Sequence, residues 1–319
     1  MDISVVIPVY NTAKFLGECV ESLVKGVKEF PGEILLIDNG SKDESLAKCR
    51  ELARRYKFVR VFEFEEPGAA AVRNFGLLKA RGEYVWFVDS DDMVKPGAVE
   101  KLVERFRETG ADSVVMAMDR VDENGKELNR PLHAIKTSLD DPSVKKEDWM
   151  SKFVRYGLGP VQVPSRREFL IKNKLFFDEG MIHEDMALMS SFILYTDKIA
   201  SIQEPLYFYR QRVGSVLHPG KWDDRELDIF RALELIAVRF EKAGQYQKWK
   251  VELEYFYIWN LLDDAAREFN KFPEGKRHFS QIRSALASRF PKWRKNKYFR
   301  ECGWKVQLRC RLAYHGIVK

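Results

Sequence analysis

The chain has 319 residues, 45% of them hydrophobic and 13% aromatic, enough to build one large globular domain with an appendage, or two domains. No apolar run approaches the length of a membrane span, and Met1 leads directly into a strand pattern, so neither a transmembrane helix nor a signal peptide is expected and a cytoplasmic protein is. The net charge of +6 is uneven: residues 291–319 hold nine Lys or Arg against one acid, Glu301, which leaves the rest slightly acidic.

The first unit is a β-turn-α unit. Residues 3–11 form a buried strand ending in Pro8-Val9-Tyr10-Asn11, and Phe15, Leu16, Cys19, Val20, Leu23 and Val24 follow at helical spacing. A second unit repeats the pattern: a strand over 33–38 ending in Asp38, a turn at Asn39-Gly40-Ser41, and a helix over 43–56. A third strand over 59–64 and a helix over 70–79 come next. Strands alternating with helices imply a mostly parallel sheet flanked by helices. The four cysteines have no metal-type spacing and read as inert thiols.

The stretch at 83–92 carries the most chemistry. Glu83-Tyr84-Val85-Trp86-Phe87-Val88 is an apolar strand, and Asp89-Ser90-Asp91-Asp92 follows at its end. Three carboxylates within four residues repel one another and resist desolvation, so the loop calls for a cation. Oxygen ligands suit Mg²⁺ or Mn²⁺, and an ion held by so few carboxylates takes phosphate oxygens as further ligands. The bland alternative is an acidic turn in which Asp92 caps the helix after Pro96. Ligands of open α/β sheets sit beyond the carboxyl ends of the strands. Tyr10-Asn11, Asp38-Asn39, Pro67-Gly68 and Asp89-Ser90-Asp91 all fall there and converge on one crevice. The first strand is not followed by G-x-G-x-x-G, and no G-x-x-x-x-G-K-[ST] occurs, which disfavours a Rossmann dehydrogenase and a P-loop NTPase.

Arg73 follows the Gly68-Ala69-Ala70-Ala71 stretch, from which its guanidinium can reach a diphosphate. Asn74 and Gly76 read equally well as packing residues. A strand over 113–118 precedes a turn at Asp122-Glu123-Asn124-Gly125, residues 132–148 read as a polar loop, and residues 153–163 hold Gly157, Gly159 and Pro160. Arg210, Arg212, Ser215 and His218 follow an aromatic strand over 206–209. Cations with a hydroxyl suit a pyrophosphate, and His218 is a candidate metal ligand or phosphate donor.

Four stretches, Val5-Val6-Ile7-Pro8-Val9-Tyr10-Asn11, Ile37-Asp38-Asn39-Gly40-Ser41-Lys42-Asp43, Gly68-Ala69-Ala70-Ala71-Val72-Arg73-Asn74-Phe75-Gly76 and Phe87-Val88-Asp89-Ser90-Asp91-Asp92, resemble in order and spacing the signatures of family 2 glycosyltransferases with the GT-A fold. Ile182-His183-Glu184-Asp185-Met186-Ala187 and the segment 204–215 continue the match. The resemblance implies that Pro8, Tyr10, Asp38 and Asn39 hold the nucleoside. It also implies that Asp89 faces ribose and metal, and that Asp91 binds the ion bridging the phosphates. Asn39 stands where the family often has an Asp that accepts from uracil, so the base stays open. Asp185 is implied as the general base of an inverting displacement, with Glu184 as runner-up. The implied partners are a nucleoside-diphosphate sugar donor and a glycan or lipid-linked glycan acceptor, in the synthesis of a bacterial surface glycan; the resemblance places the loop over 132–148 near that acceptor and makes 153–163 part of its pocket.

From residue 222 onward the periodicity is helical, with Leu227, Phe230, Leu233, Ile236 and Phe240, then Leu253, Phe256, Trp259 and Leu262. This predicts a catalytic domain over 1–220, with a nucleotide-sugar half over 1–120 and an acceptor half over 121–220, and a helical appendage over 221–319. The basic, aromatic tail at 291–319 fits an anionic membrane surface, which would make the protein peripheral on the inner face of the plasma membrane. A solvated charged face is the rival reading, and no nucleic acid partner is expected. Two other functional classes stay open: a sugar nucleotidyltransferase, which would not need Glu184-Asp185, and a catalytically silent GT-A scaffold.

Overall fold

The computed structural model describes residues 1–128, 139–141, 145–156, 158–196, 198–212 and 221–318. In chain order the elements are β1 (Ile3–Val9), α1 (Ala13–Val24), β2 (Gly32–Asp38), α2 (Ser45–Arg55), β3 (Val59–Glu63), α3 (Ala69–Lys79), β4 (Tyr84–Phe87), β5 (Met93–Val94), α4 (Ala98–Thr109) and β6 (Ser113–Val121). They continue with α5 (Lys146–Tyr156), β7 (Ser165–Arg166), α6 (Arg167–Lys172), α7 (Glu184–Phe192), β8 (Ile199–Arg210), α8 (Asp228–Lys242) and α9 (Tyr246–Trp259). After a π-helical stretch, Asn260–Ala265, come α10 (Ala266–Asn270), α11 (Pro273–Lys276), α12 (Phe279–Arg289), α13 (Lys297–Glu301) and α14 (Trp304–Tyr314).

The chain divides into two compact units. One comprises Met1–Lys145, Leu158–Gly180 and Tyr195–Val213; the other comprises Lys146–Gly157, Met181–Leu194 and Gly214–Lys319. The division expected from the sequence put one boundary near 220. The structure instead groups α5 and α7 with the C-terminal helices, because contacts outweigh chain order: α5 packs on α9 and α7 on α8.

The first unit is built on a sheet of order β3-β2-β1-β4-β7-β6-β8-β5. Its β3-β2-β1-β4 half is parallel, with Val5 beside Ile34 on one side and Trp86 on the other. Beyond β4 the two-residue β7 runs antiparallel to β4 and β6, while β6 and β8 pair in parallel. The sheet is therefore mixed, with its mostly parallel character held in the N-terminal half. Every residue of β4 is buried, and β1 buries all but Pro8, the composition of strands covered on both faces. Tyr84 stacks on Phe106 of α4 at 4.1 Å between ring centres, and Trp86 donates its indole N–H to the Val161 carbonyl at 2.8 Å. The β5 and β7 strands were not foreseen, since two residues carry no periodicity.

Gly76 on α3 faces the sheet so closely that a Cβ there would sit 2.3 Å from Val6 Cγ1 and 2.9 Å from Ile37 Cδ1. The packing reading of this glycine thus has a cause. Gly76→Ala is expected to destabilise the protein by about 1–3 kcal/mol through overpacking of the α3–β1 contact, measured as a lower urea midpoint with an unchanged slope.

Candidate active site

The carboxyl ends of β1, β2 and β4 carry the polar residues of the first unit, and loops lock them to one another. Asn11, in the left-handed conformation at φ 51°, accepts through Oδ1 from Lys42 N at 2.7 Å, while its own N–H donates to Ser41 Oγ. Thr12 donates from its hydroxyl to Ser90 Oγ at 2.9 Å and from its backbone to Ser45 Oγ at 2.8 Å. The turns after β1, β2 and β4 are therefore one hydrogen-bonded assembly.

Asp38, at the end of β2, is buried at 3% exposure. Its Oδ2 accepts from Ser41 N at 3.2 Å, but its Oδ1 is buried with no hydrogen-bond partner. An unsatisfied buried carboxylate oxygen is costly, and a ligand donor relieves the cost. Asn39 is committed differently from the sequence expectation. Its amide nitrogen donates to the carbonyls of Phe64 and Glu66, and its oxygen accepts from Gly68 N at 3.1 Å. It holds the turn before α3, where Gly68 supplies a φ of 115°, and both of its N–H groups are used. Pro8 is half-buried inside β1, and Tyr10 stands 58% exposed just beyond it.

Each of the three acids after β4 has its own partner. Asp89 Oδ1 accepts from Arg73 Nη2 at 3.0 Å, and the buried Arg73 lies over the Phe177 ring at 5.4 Å. Asp91 Oδ2 accepts from Arg212 Nε. Asp92 is buried at 1% exposure; it accepts from the Tyr207 hydroxyl at 2.5 Å and from the backbone N–H of Arg210 at 2.8 Å. Asp92 is thus no helix cap: the residue preceding α4 is Gly97, and the carboxyl group of Asp92 lies inside the sheet domain. Burial pushes its pKa well up, and the charges of Asp89 and Asp91 push it further. The same surroundings raise the Tyr207 hydroxyl and the Cys19 thiol, burial first and the acids second.

Arg210 was expected at the pyrophosphate. The structure buries it at 2% exposure and spends its donors on protein: Nε on Asp91 O at 2.7 Å, Nη1 on Glu123 O at 2.6 Å and Nη2 on Glu18 Oε2 at 2.7 Å. It clamps the acid turn to α1 and to the turn after β6, and the more open Arg212 is the one of the two that reaches the Asp91 carboxylate. Ser215 and His218 lie outside the described residues, as do 132–138 and 142–144 of the expected acceptor loop. Asn74 is a packing residue here, bonded to Phe177 N and O and to Glu179 Oε1. Of the expected acceptor-pocket stretch, α5 belongs to the second unit, and Pro160–Gln162 to the first.

Glu184 and Asp185 belong to the second unit, where they open α7 in the first turn, a position the helix dipole favours for acids. Asp185 Oδ1 accepts from Met186 N at 2.7 Å. His183 precedes them at φ 64°, and burial holds its imidazole below the usual histidine range against the pull of Asp185 and Asp228. Asp228 at the start of α8 accepts from Ile182 N at 2.9 Å and so fixes the approach to α7.

Among the described residues no three His, Cys, Asp or Glu side chains gather as a metal-binding group. Asp89 and Asp91, with side chains 35% and 20% exposed, offer at most two carboxylates. That donor set fits a hard divalent ion only where a ligand's phosphate oxygens complete the shell.

The model of Glycosyl transferase family 2 matches residues 4–196. This chain belongs to glycosyl transferase family 2. It is 32% identical over 275 residues to the glycosyltransferase GlyG of Streptococcus pneumoniae, covering 80% of this chain and 90% of GlyG. It is 25% identical over 258 residues to the poly(ribitol-phosphate) beta-N-acetylglucosaminyltransferase TarS of Staphylococcus aureus, covering 79% of this chain and 43% of TarS. The crystal structure of S. aureus TarS 1-349 in complex with UDP-GlcNAc superposes with a TM-score of 0.76 at 23% identity, over 99% of this chain and 88% of that one. The fold is that of the GT-A glycosyltransferases, and the family 2 chain is a glycosyltransferase.

Glu18, Asp92, Glu123 and Tyr207 were not singled out as site residues. Asp92 stood in plain view within the acid run, whereas Glu18 sits on the polar face of α1, which carries no signal of its own. Replacing Arg210 by Met keeps the stem and removes the fork. It is expected to cost about 2–4 kcal/mol, because the buried carbonyls and Glu18 lose their donors. Arg212→Met, at the rim, is expected to cost under about 1 kcal/mol. Urea denaturation of both variants tests the contrast.

Proposed function

We propose that this family 2 glycosyltransferase moves a sugar from a nucleoside-diphosphate sugar onto a hydroxyl of a surface glycan, with inversion and with a divalent ion. The observation that carries the reading is the buried, unpartnered Asp38 Oδ1 in the same loop assembly as Asp89 and Asp91: an acceptor for a nucleoside N–H or O–H and a diphosphate seat at the ends of β2 and β4, the two strands that flank β1. An imide N–H or a ribose hydroxyl satisfies Asp38, and Tyr10 offers an exposed ring for a base. The UDP-GlcNAc complex of TarS supports a uridine donor, and the poly(ribitol-phosphate) acceptor in its name supports a surface polymer as acceptor class.

Asp89 and Asp91 would hold Mn²⁺ or Mg²⁺, which when bound offsets the charge growing on the departing diphosphate. Arg73 and Arg212, now on the two acids, are cations of the right chemistry for phosphate oxygens. The acceptor oxygen attacks the anomeric carbon, its proton passes to Asp185, and the bond to the diphosphate breaks with its electron pair leaving on the nucleotide. A single displacement of this kind inverts the centre.

Thermal stabilisation by UDP, GDP, dTDP and CDP, each with and without Mn²⁺, is the test of the donor site. Stabilisation by UDP that requires the ion and is lost in Asp91→Asn is expected. Stabilisation that ignores the ion would remove the metal from the proposal. Asp185→Asn is expected to lower kcat by about 10²–10⁴-fold with UDP binding intact, read as nucleotide release; full turnover in that variant would remove the base.

A further inference from the structure

The C-terminal residues are not a loose charged end. Trp293, Phe299, Cys310 and Ala313 are each buried to about 1% exposure, and Arg309 of α14 donates from Nε to the buried Asp263 at 2.6 Å. Asp263 also pairs with Arg267, so α14 is tied to the π-helical stretch by an ion-paired acid. With that face engaged, the opposite face of α14 is fixed in orientation.

That face has a definite composition. Trp304 is 70% exposed and Leu308 48%, and Lys305, Arg311 and His315 are exposed as well. At 3.6 residues per turn these five fall within an arc of about 120°, while Val306, Cys310 and Ala313 fall opposite. Lys305 holds its ammonium 5.8 Å from the centre of the Trp304 ring. Ile317, 48% exposed, follows directly, its N–H bonded to Leu312 O. Gln307 holds the Arg300 carbonyl at 3.1 Å, which keeps a further exposed cation beside the helix.

We infer that the exposed face of α14, built from Trp304, Leu308, Lys305 and Arg311, docks on an anionic lipid headgroup surface. A tryptophan exposed to this degree beside a leucine is apolar area whose burial a partner gains from, and the cations around them favour a negatively charged one. An anionic bilayer interface offers both, taking the indole at headgroup level and the leucine just below. A second copy of the chain does not fit, since an isologous contact brings together two copies of the same basic face and α14 carries no acid to answer Lys305 and Arg311. A soluble polyanion answers the charges but leaves Leu308 and Ile317 in water. Among the described residues no helix is long and apolar enough to cross a membrane, so this contact is one of surface adsorption. The inference does not rest on the donor or the metal.

The test is flotation of the full chain with vesicles of phosphatidylcholine alone and of phosphatidylcholine with about 30 mol% phosphatidylglycerol. The protein is expected to float with the anionic vesicles, not with the neutral ones, and less in high salt. Lys305→Gln with Arg311→Gln, and separately Trp304→Ser with Leu308→Ser, are each expected to lower the partition coefficient by about tenfold or more. Circular dichroism and thermal midpoint should be unchanged, because these side chains are exposed. Equal flotation with neutral vesicles, variants that float like the parent, or binding of polyphosphate or an oligonucleotide without flotation would each overturn the assignment. So would a concentration-dependent dimer that the same substitutions dissolve.

Discussion

Three carboxylates within four residues after a buried strand are the constraint on which the first unit depends. Left together in a half-buried loop they repel one another, and the structure answers each differently. Arg73 comes to Asp89 from α3, Arg212 comes to Asp91 from beyond β8, and Asp92 turns inward to a tyrosine hydroxyl and a backbone N–H. Arg210 then clamps the whole turn from beneath by its three nitrogens. The cost of concentrating negative charge is offset by elements far apart in the chain, which is why β8 must return to lie in the same sheet as β4.

This arrangement leaves the outermost acids, Asp89 and Asp91, partly open and the innermost, Asp92, closed. The division has a chemical meaning. A buried carboxyl group with a raised pKa and two protein partners positions the turn, whereas among the described residues the two partly open carboxylates are held by arginine side chains alone. The interlocked turns after β1, β2 and β4 add rigidity, and one oxygen of Asp38 is left unsatisfied among them.

The second unit follows the same physics with another result. Its helices bury aromatic stripes, and its one deeply buried acid in the π-helical stretch, Asp263, is answered by Arg267 and Arg309. That pairing uses one cation of the basic tail internally and leaves the others on the surface. Charge counted along the chain therefore overstated what the tail offers outward, and the exposed face of α14 is narrower than the composition implied.

The alternation of strands and helices, the acid run after β4 and the ordered motifs were legible because they are local: periodicity two or 3.6 and residue types at short spacing state their own structure. The same local signals named Asp38, Asp89, Asp91, Arg73 and Arg212 as candidates. They did not reveal that Asn39 holds the turn before α3, that Asp92 is buried, or that Arg210 is a clamp, since each depends on partners tens of residues away. Nor did they give the division into units, where α7 sides with α8 although β8 separates them in the chain. Which chemistry the chain carries follows from the covalent order of its side chains; which of those side chains are consumed by one another and which remain open follows from the fold, because burial and hydrogen-bond satisfaction are properties of neighbours in space.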